Sequence, residues 1–405
     1  MKSNKSINRR GFLKSSVIGT AGFVVGQKAF SEVPLKNKKQ ESSDQNFIYR
    51  NLGNTGIKLP IISMGVMRAD NPNLVKAALE KGIVHLDTAH GYQDGKNEEM
   101  IGKVLKEFPR DSYIIATKVR PDGYNRRTGV FSEDVTEENF FQKFDISLKR
   151  LGLEYVDILY LHNMSKRESA LNATVLNALK KAKKSGKARF VGISTHSNQP
   201  EVIEAAVESN VYDVVLTAYN FNLGIKDKLN MAIEKAARAG LGIVAMKTLA
   251  GGFLDRERQQ PVNVKAALKW ALQNPNVHTS IPGFTTFDQL DESLSVMNDL
   301  ELTEDEKKDI NLAQSIPGLY CLGCEDCLSQ CKKNLPVPDI MRAYMYTYGY
   351  RELEKAHELL IALDLTRNPC KDCNSCSVVC AKGFDIAEKI KDVTRLLDVP
   401  ADFIT

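Results

Sequence analysis

From Ile57 onward the chain alternates short, almost wholly apolar runs with segments whose apolar residues recur every three or four positions. Such a run reads as a buried strand, and the three-to-four period reads as one face of a helix. The runs predict strands at 61–65, 83–87, 113–118, 156–161, 189–194, 212–217, 241–246 and 278–281. The periodic segments predict helices at 72–81, 97–107, 137–150, 168–185, 199–208, 226–239 and 262–273. This repeated alternation predicts an α/β fold, a (β/α)8 TIM barrel spanning 47–300. A doubly wound open sheet is the competing architecture. It is disfavoured because the glycine-rich turn after a strand, Gly251-Gly252, lacks the spacing of a dinucleotide fingerprint.

Beyond residue 300 the pattern changes. Thr303-Glu-Asp-Glu306 is a capping box that predicts a helix to about Gln314 within a helical linker, 301–320, and Pro317-Gly318 ends it. Leu353, Ala356, Leu359, Leu360 and Leu363 return to helical spacing and predict a small α-helical domain over 321–405. Tyr344, Tyr346, Tyr348 and Tyr350 alternate as strand residues do, but read here as packing and rim residues of a helix and its end.

Charge sharpens the N-terminus. Lys2, Lys5, Arg9, Arg10, Lys14 and Lys28 carry +6 with no acid before Glu32; the whole chain has a net charge of +5, so residues 32–405 sum to −1. No nucleic-acid footprint remains in the folded part. The basic stretch precedes a mildly apolar segment, 15–26, too short to span a bilayer as a stable helix, which predicts an export signal over 1–31. Residues 32–46 are polar, without apolar periodicity, and read as a linker. Asn8-Arg-Arg-Gly-Phe-Leu-Lys14 resembles a twin-arginine signal, with Asn8 where Ser or Thr is usual. That resemblance implies export in folded form to the periplasm or cell envelope, with no stable membrane span unless the signal is retained.

Chemistry concentrates at three strand ends. His85-Leu-Asp87, followed by Tyr92, Tyr113-Ile-Ile-Ala-Thr-Lys118 and Val156-Asp-Ile-Leu-Tyr-Leu-His162 each deliver an ionisable side chain where a barrel carries its active site. A charge ending an apolar run is costly to bury alone, so Asp87 and Lys118 are natural partners. His85, one step inside its strand, reads as a hydrogen-bonded core residue; His90 and His196, with His162, leave a metal site as a minor alternative.

The set Asp87, Tyr92, Lys118 and His162 resembles the catalytic tetrad of the aldo-keto reductases. Tyr49-Arg-Asn-Leu-Gly-Asn-Thr-Gly56 is similar to that family's opening hairpin, Ser147-Leu-Lys-Arg-Leu-Gly152 to the helix before its fourth strand, and Ser280-Ile-Pro-Gly283 to its cofactor loop. The resemblance implies an oxidoreductase that interconverts a small carbonyl compound and an alcohol by hydride transfer with NAD or NADP. Tyr92 would be the general acid, Lys118 its charge partner, Asp87 the residue orienting the lysine, and His162 the group bonding the substrate oxygen. It further implies cofactor contacts from Ser194 and Thr195 to the carboxamide, and from Ser280, Gly283, Thr285 and Gln289 to the adenosine phosphate. Three departures stand out: Leu216 replaces a carboxamide-binding glutamine, Met246-Lys247 replaces a stacking aromatic, and Gly283 and Gln289 replace bases that neutralise a 2′-phosphate. The last change weakens preference for NADPH, while Lys247 is a candidate for restoring a phosphate contact.

All eight cysteines lie between residues 321 and 380. Cys321-x2-Cys324-x2-Cys327-x3-Cys331 repeats as Cys370-x2-Cys373-x2-Cys376-x3-Cys380, although Lys332 and Ala381 stand where proline usually follows. The repeat resembles that of two-cluster ferredoxins, which implies two [4Fe-4S] clusters, one on Cys321, Cys324, Cys327 and Cys380, the other on Cys370, Cys373, Cys376 and Cys331. Zinc sites and four disulfides are the competing readings. Clusters admit an electron-transfer partner, and the rival function is an electron-transfer or scaffold protein whose barrel has lost nicotinamide-dependent catalysis.

Overall fold

A hairpin opens the fold, with Tyr49–Asn51 antiparallel to Lys58–Pro60 and Arg50 opposite Leu59. Its apolar residues Leu52, Ile57 and Leu59 are fully buried and join Ile114, Ala116, Ile158, Val214 and Val244 in a separate inner core. The hairpin thus plugs one end of a barrel. At its tip Gly53 has φ +53°, and a Cβ there would come within 2.4 Å of the Gly240 carbonyl oxygen, so only glycine permits the approach.

The computed structural model describes residues 46–404 apart from 322 and 374. The expected signal, 1–31, and the expected linker, except residue 46, lie outside the described residues. Among the described residues no helix is long and apolar enough to cross a membrane.

Eight parallel strands follow in chain order around the sheet: Met64–Gly65, His85–Asp87, Ile114–Val119, Val156–Leu161, Ala188–Thr195, Val214–Ala218, Gly242–Met246 and Thr279–Ser280. The last meets the first through the Ile62–Ser280 bridge, with the Ser63 amide donating to the Ser280 carbonyl at 2.8 Å and the Gly65 amide to the Pro282 carbonyl at 3.1 Å. The sheet is therefore closed, and the open-sheet alternative is excluded. The terminal strands are shorter than their apolar runs because only part of each pairs regularly. Strands buried on both faces read as continuous apolar runs rather than alternating ones, which is why they were visible in the sequence.

The helices form the outer layer: Pro72–Glu80, Lys96–Leu105, Glu137–Leu151, Ala173–Lys184, Gln199–Ser209, Lys226–Arg238 and Val264–Leu272. One expectation is corrected. The segment 168–185 is two helices, Arg167–Ala170 and Ala173–Lys184, because the Asn172 side chain accepts from the Val175 amide at 3.1 Å and starts a new helix.

The capping box at Thr303 and Glu306 is formed, and it begins Glu304–Ser315. The chain then crosses to the barrel mouth. Val337–Met345 runs into a wide turn at Tyr346–Tyr350, then Leu353–Ile361, and Ile386–Thr394 packs against Val337–Met345. Ile340, Met341, Tyr344, Leu359 and Leu360 share one continuous core with the barrel's outer layer. Arg68 pairs with Glu352 at 2.6 Å and Arg256 with Asp392 at 2.8 Å, fastening this segment to the mouth.

Candidate active site

The sheet register brings the three strand ends together. Asp87 lies opposite Ala116 and Lys118 opposite Tyr160; the His90 amide donates to the Lys118 carbonyl at 3.0 Å, and the His162 amide to the Val119 carbonyl at 2.9 Å. The turn carrying Tyr92 is braced from below. Asn97, fully buried, accepts from the Thr88 hydroxyl at 2.6 Å and donates to the Val66 carbonyl at 2.7 Å, while Arg150 donates to the His90 carbonyl at 2.9 Å.

Lys118 is the hub. Its ammonium donates to Asp87, to the Thr88 carbonyl at 2.7 Å and to the Tyr92 phenol oxygen at 3.2 Å. Burial alone would lower the lysine pKa, but Asp87 and then Tyr92 outweigh it and hold the pKa above the ordinary value. The ammonium is thereby kept beside the phenol. His162 stands edge-on to Tyr92, with ring centroids 6.0 Å apart. Burial, followed by Lys118, Arg120, Arg126 and Lys355, pushes its pKa well below the histidine norm, so it is a neutral imidazole able to donate to an oxygen.

The tetrad lines a cavity of about 630 Å³, within the size of small-molecule sites. Its floor continues over Met246 and Lys247 to Gly251, Gly252, Pro282, Gly283 and Gln289. Gly251 and Gly252 have φ of +94° and +79°, and no atom lies within 4 Å of a Cβ built at Gly252. A cavity of this size, open at Gly252 and lined by a proton donor, has room for the reacting part of a nicotinamide dinucleotide.

The expected cofactor residues divide. Lys247, Gly283 and Gln289 line the cavity; Ser194, Thr195, Ser280 and Thr285 do not. The Ser194 hydroxyl accepts from the Asn163 amide at 2.8 Å, the Thr195 hydroxyl donates to the Ser197 carbonyl at 2.8 Å, and Ser280 donates to Thr248 at 3.3 Å. Asn163 and His196, neighbours of that serine and threonine, face the cavity instead. Gln289 accepts from the Thr285 amide at 2.9 Å. Lys247 donates to the Tyr346 phenol at 3.3 Å, and burial together with Arg342 pulls its pKa well below the lysine norm. It is committed to the covering segment, and is a poor phosphate clamp as it stands.

Two histidine expectations change. His85 is fully buried, but neither ring nitrogen has a hydrogen-bond partner among the described residues, and burial followed by Lys118 lowers its pKa to about 3. His90 lines the mouth and bonds Ser147 at 3.1 Å; among the described residues, no three His, Cys, Asp or Glu side chains converge on a single-ion position.

Sequence reasoning missed a further set of lining residues: Arg120, Arg126, Arg342, Tyr346, Tyr350 and Lys355. Arg120 carried a signal, being two residues past Lys118 and hence on the same strand face. The tyrosines read as packing and rim residues of a helix and its end, and the remaining ones reach the mouth only through tertiary structure.

All eight cysteines are free thiols. Cys321 feels Cys327, Cys324 and Cys380, and these add to burial in pushing its thiol up to about 12; Cys370 likewise feels Cys373, Cys376 and Cys331 and is pushed up to about 11. The two motifs are tied by Gln330, which accepts from the Val379 amide at 2.7 Å and whose carbonyl accepts from Ser377 at 2.6 Å. Cys380 thus acts on the first motif and Cys331 on the second, while among the described residues no three thiols converge on a single-ion position. A four-iron cube takes each thiolate at a different corner and so spaces its ligands more widely than a single ion does.

A closed barrel with this tetrad at its strand ends defines an oxidoreductase of carbonyl and alcohol chemistry. The sequence profile described as the Aldo/keto reductase family matches residues 63–266, and the chain belongs to that family. It is 27% identical over 328 residues to the L-glyceraldehyde 3-phosphate reductase of Escherichia coli K12, covering 65% of this chain and 91% of that protein. It is 28% identical over 296 residues to the L-galactose dehydrogenase of Arabidopsis thaliana, covering 62% and 88% respectively. An aldo-keto reductase from Bacillus halodurans shares the fold, with a TM-score of 0.53 at 22% identity over 66% of this chain and 96% of that one. One from Klebsiella pneumoniae in complex with NADPH does so with a TM-score of 0.53 at 19% identity over the same shares. The relatives' coverage leaves part of this chain unmatched.

Proposed function

We propose that this protein is an exported, iron-sulfur-containing aldo-keto reductase in which Tyr92 is the proton donor. The observation that carries the reading is the Lys118 ammonium, held by Asp87 and the Thr88 carbonyl and 3.2 Å from the Tyr92 oxygen, in the wall of a cavity of about 630 Å³. A bound nicotinamide supplies or accepts the hydride. Tyr92 gives its proton to the carbonyl oxygen, and Lys118 stabilises the phenolate left behind. Neutral His162 donates to the same oxygen and fixes which face of the carbonyl is presented. The covering segment, 337–359, excludes water and strengthens each of these interactions. In the alcohol-oxidising direction Tyr92 takes the proton back.

Met246, Asn163 and His196 would flank the nicotinamide ring, and Gly251, Gly252, Gly283 and Gln289 would line its phosphates and adenosine. Glu292 lines the cavity with the neutral Gln289, which supports NADH over NADPH. The groups of cysteines about Cys321 and Cys370 would each hold one [4Fe-4S] cluster, and no proton or hydride step above needs them. A dissociable nicotinamide has no free pool outside the cytoplasm, so export of the folded protein favours a dinucleotide bound before transport. The complete tetrad weighs against the electron-transfer or scaffold alternative.

The test is chemical analysis of the mature protein purified anaerobically from the periplasm. Denaturation should release a nicotinamide dinucleotide, and iron and sulfide should each approach eight per chain and fall sharply when Cys324 and Cys373 are both changed to Ser. Absence of released dinucleotide together with no binding of added NADH or NADPH would overturn the enzyme reading; zinc without sulfide would overturn the clusters.

A further inference from the structure

The wall of the cavity on the His162 side is crowded with cations. Arg120 leaves the strand that carries Lys118. Arg126 sits at the tip of a small hairpin formed by Tyr124–Asn125 and Val130–Phe131, its turn held by the Asn125 side chain accepting from the Arg127 amide at 2.9 Å. Arg342 arrives from the covering helix Val337–Met345, with only 11% of its side chain exposed. Lys355 follows from the next helix, its ammonium 5.9 Å from the Tyr92 ring centroid. All four line the cavity with the tetrad.

The nearby carboxylates are already engaged. Asp122 is paired with Lys143, Asp339 with Arg342, and Glu358 with Lys355 at 3.4 Å. That leaves Arg120 and Arg126, both half-buried, without a salt bridge or side-chain hydrogen bond to any described residue. They also act on each other: burial, then Arg126, lowers the Arg120 pKa to about 10, and burial, then Arg342, lowers that of Arg126. Guanidinium groups directed into one cavity repel one another and lose hydration, a cost that an anionic ligand reverses. The group lies beside His162, on which Arg120, Arg126 and Lys355 all act, and so beside the residue that would meet the substrate oxygen.

We propose that the substrate is a carbonyl compound carrying a carboxylate or phosphate, which Arg120, Arg126 and Arg342 grip while its carbonyl oxygen meets Tyr92 and His162. The proposal rests on the carbonyl-reducing reading of the tetrad and names the substrate class that reading leaves open. A planar guanidinium binds either oxyanion in bidentate fashion, and two or three of them fix the distance from anion to carbonyl. Arg342 makes the cysteine-bearing segment part of the substrate site.

The test uses the full chain with its metal and dinucleotide intact and compares probes that differ only in charge. In the kinetic arm, 4-carboxybenzaldehyde is set against benzaldehyde, and glycolaldehyde phosphate against glycolaldehyde, which separates carboxylate from phosphate recognition. In the equilibrium arm, terephthalate is set against its neutral diamide by titration calorimetry, so that binding is read without turnover. The charged member of at least one pair should be preferred by roughly 10–100-fold, the range of a charge-assisted hydrogen bond. Arg126→Met should lower that ratio at least about tenfold and Arg126→Lys should retain part of it. Arg126 is at a hairpin tip, so its replacement should leave folding intact where Arg342→Met could disturb it. A charged-to-neutral ratio near one, or one unmoved by Arg126→Met, overturns the proposal. So does an Arg126→Met variant that loses NADPH affinity but not terephthalate affinity, which would assign these arginines to the cofactor. Terephthalate binding that depends on Arg126 in a protein reducing no aldehyde would support the anion grip and remove the carbonyl reading instead.

Discussion

Replacing Tyr92 with Phe removes one oxygen atom and isolates the proton-transfer role. Among the described residues that oxygen has one hydrogen-bond partner, the Lys118 ammonium at 3.2 Å, and the ammonium keeps Asp87 and the Thr88 carbonyl when it is lost. No buried charge is stranded, so the stability cost should be that of one hydrogen bond, about 1 kcal/mol or less. The catalytic cost should be far larger. At 3.2 Å and an effective dielectric constant of about 20, an ammonium attracts a phenolate by about 5 kcal/mol, and the variant has no phenolate to attract. Loss of a positioned general acid typically costs 10²–10⁴-fold, or about 3–5 kcal/mol of barrier. The expected result is therefore a loss of kcat by roughly a hundredfold or more, with an unchanged dissociation constant for NADH and a nearly unchanged unfolding midpoint. Stopped-flow single turnovers with bound NADH give the first, fluorescence titration the second and denaturant unfolding the third. Retention of more than about a tenth of wild-type kcat, with cofactor binding intact, would refute the assignment of Tyr92 as the acid.

Further outcomes follow from the same geometry. Lys118→Met should destabilise the fold by about 3–5 kcal/mol in denaturant titration, because it strands the Asp87 carboxylate, whose side chain is 3% exposed; Asp87→Asn added to it should restore stability but not turnover. His85, His90, His162 and His196 all have pKa values depressed below the histidine norm, to about 3 for His85 and about 4 for His90. The unfolded chain then binds more protons than the folded one below about pH 6.5, so stability should fall as pH drops from there toward 4, with a slope of about 1.4 kcal/mol per pH unit for each histidine within its window. A flat unfolding free energy between pH 7 and 5 would contradict this. Gln289→Arg should tighten NADPH binding by roughly tenfold or more while leaving NADH within about twofold, read by cofactor fluorescence.

The strand ends were legible because they depend on local pattern. A strand buried on both faces announces itself as an apolar run, and a lone ionisable residue at the end of each run marked Asp87, Lys118 and His162 before any register was known. The cysteine repeat was legible for the same reason. What the sequence hid is whatever reaches the mouth from afar. Tyr346 and Tyr350 have the spacing of packing residues and become lining residues only when Val337–Met345 lies across the barrel. Arg126 is one polar residue in a polar loop until its hairpin forms. Ser194 and Thr195, which family position assigned to the cofactor, have hydroxyls engaged by the local backbone, and Asn163 and His196 beside them line the cavity.

The borrowed wall of the pocket has a consequence for how this enzyme can change. A barrel usually varies its specificity one loop at a time, since each loop hangs from its own strand and can be lengthened or recoloured without disturbing its neighbours. Here one face of Val337–Met345 presents Arg342 to the cavity while Ile340, Met341 and Tyr344 on its other sides are fixed in the core. Drift in the cysteine segment thus registers as a change in what the pocket accepts, and adaptation to a new metabolite is answerable to the packing of that segment. Exchange of the C-terminal segment between related chains should transplant selectivity along with it, making that segment a heritable unit of specificity rather than an appendage.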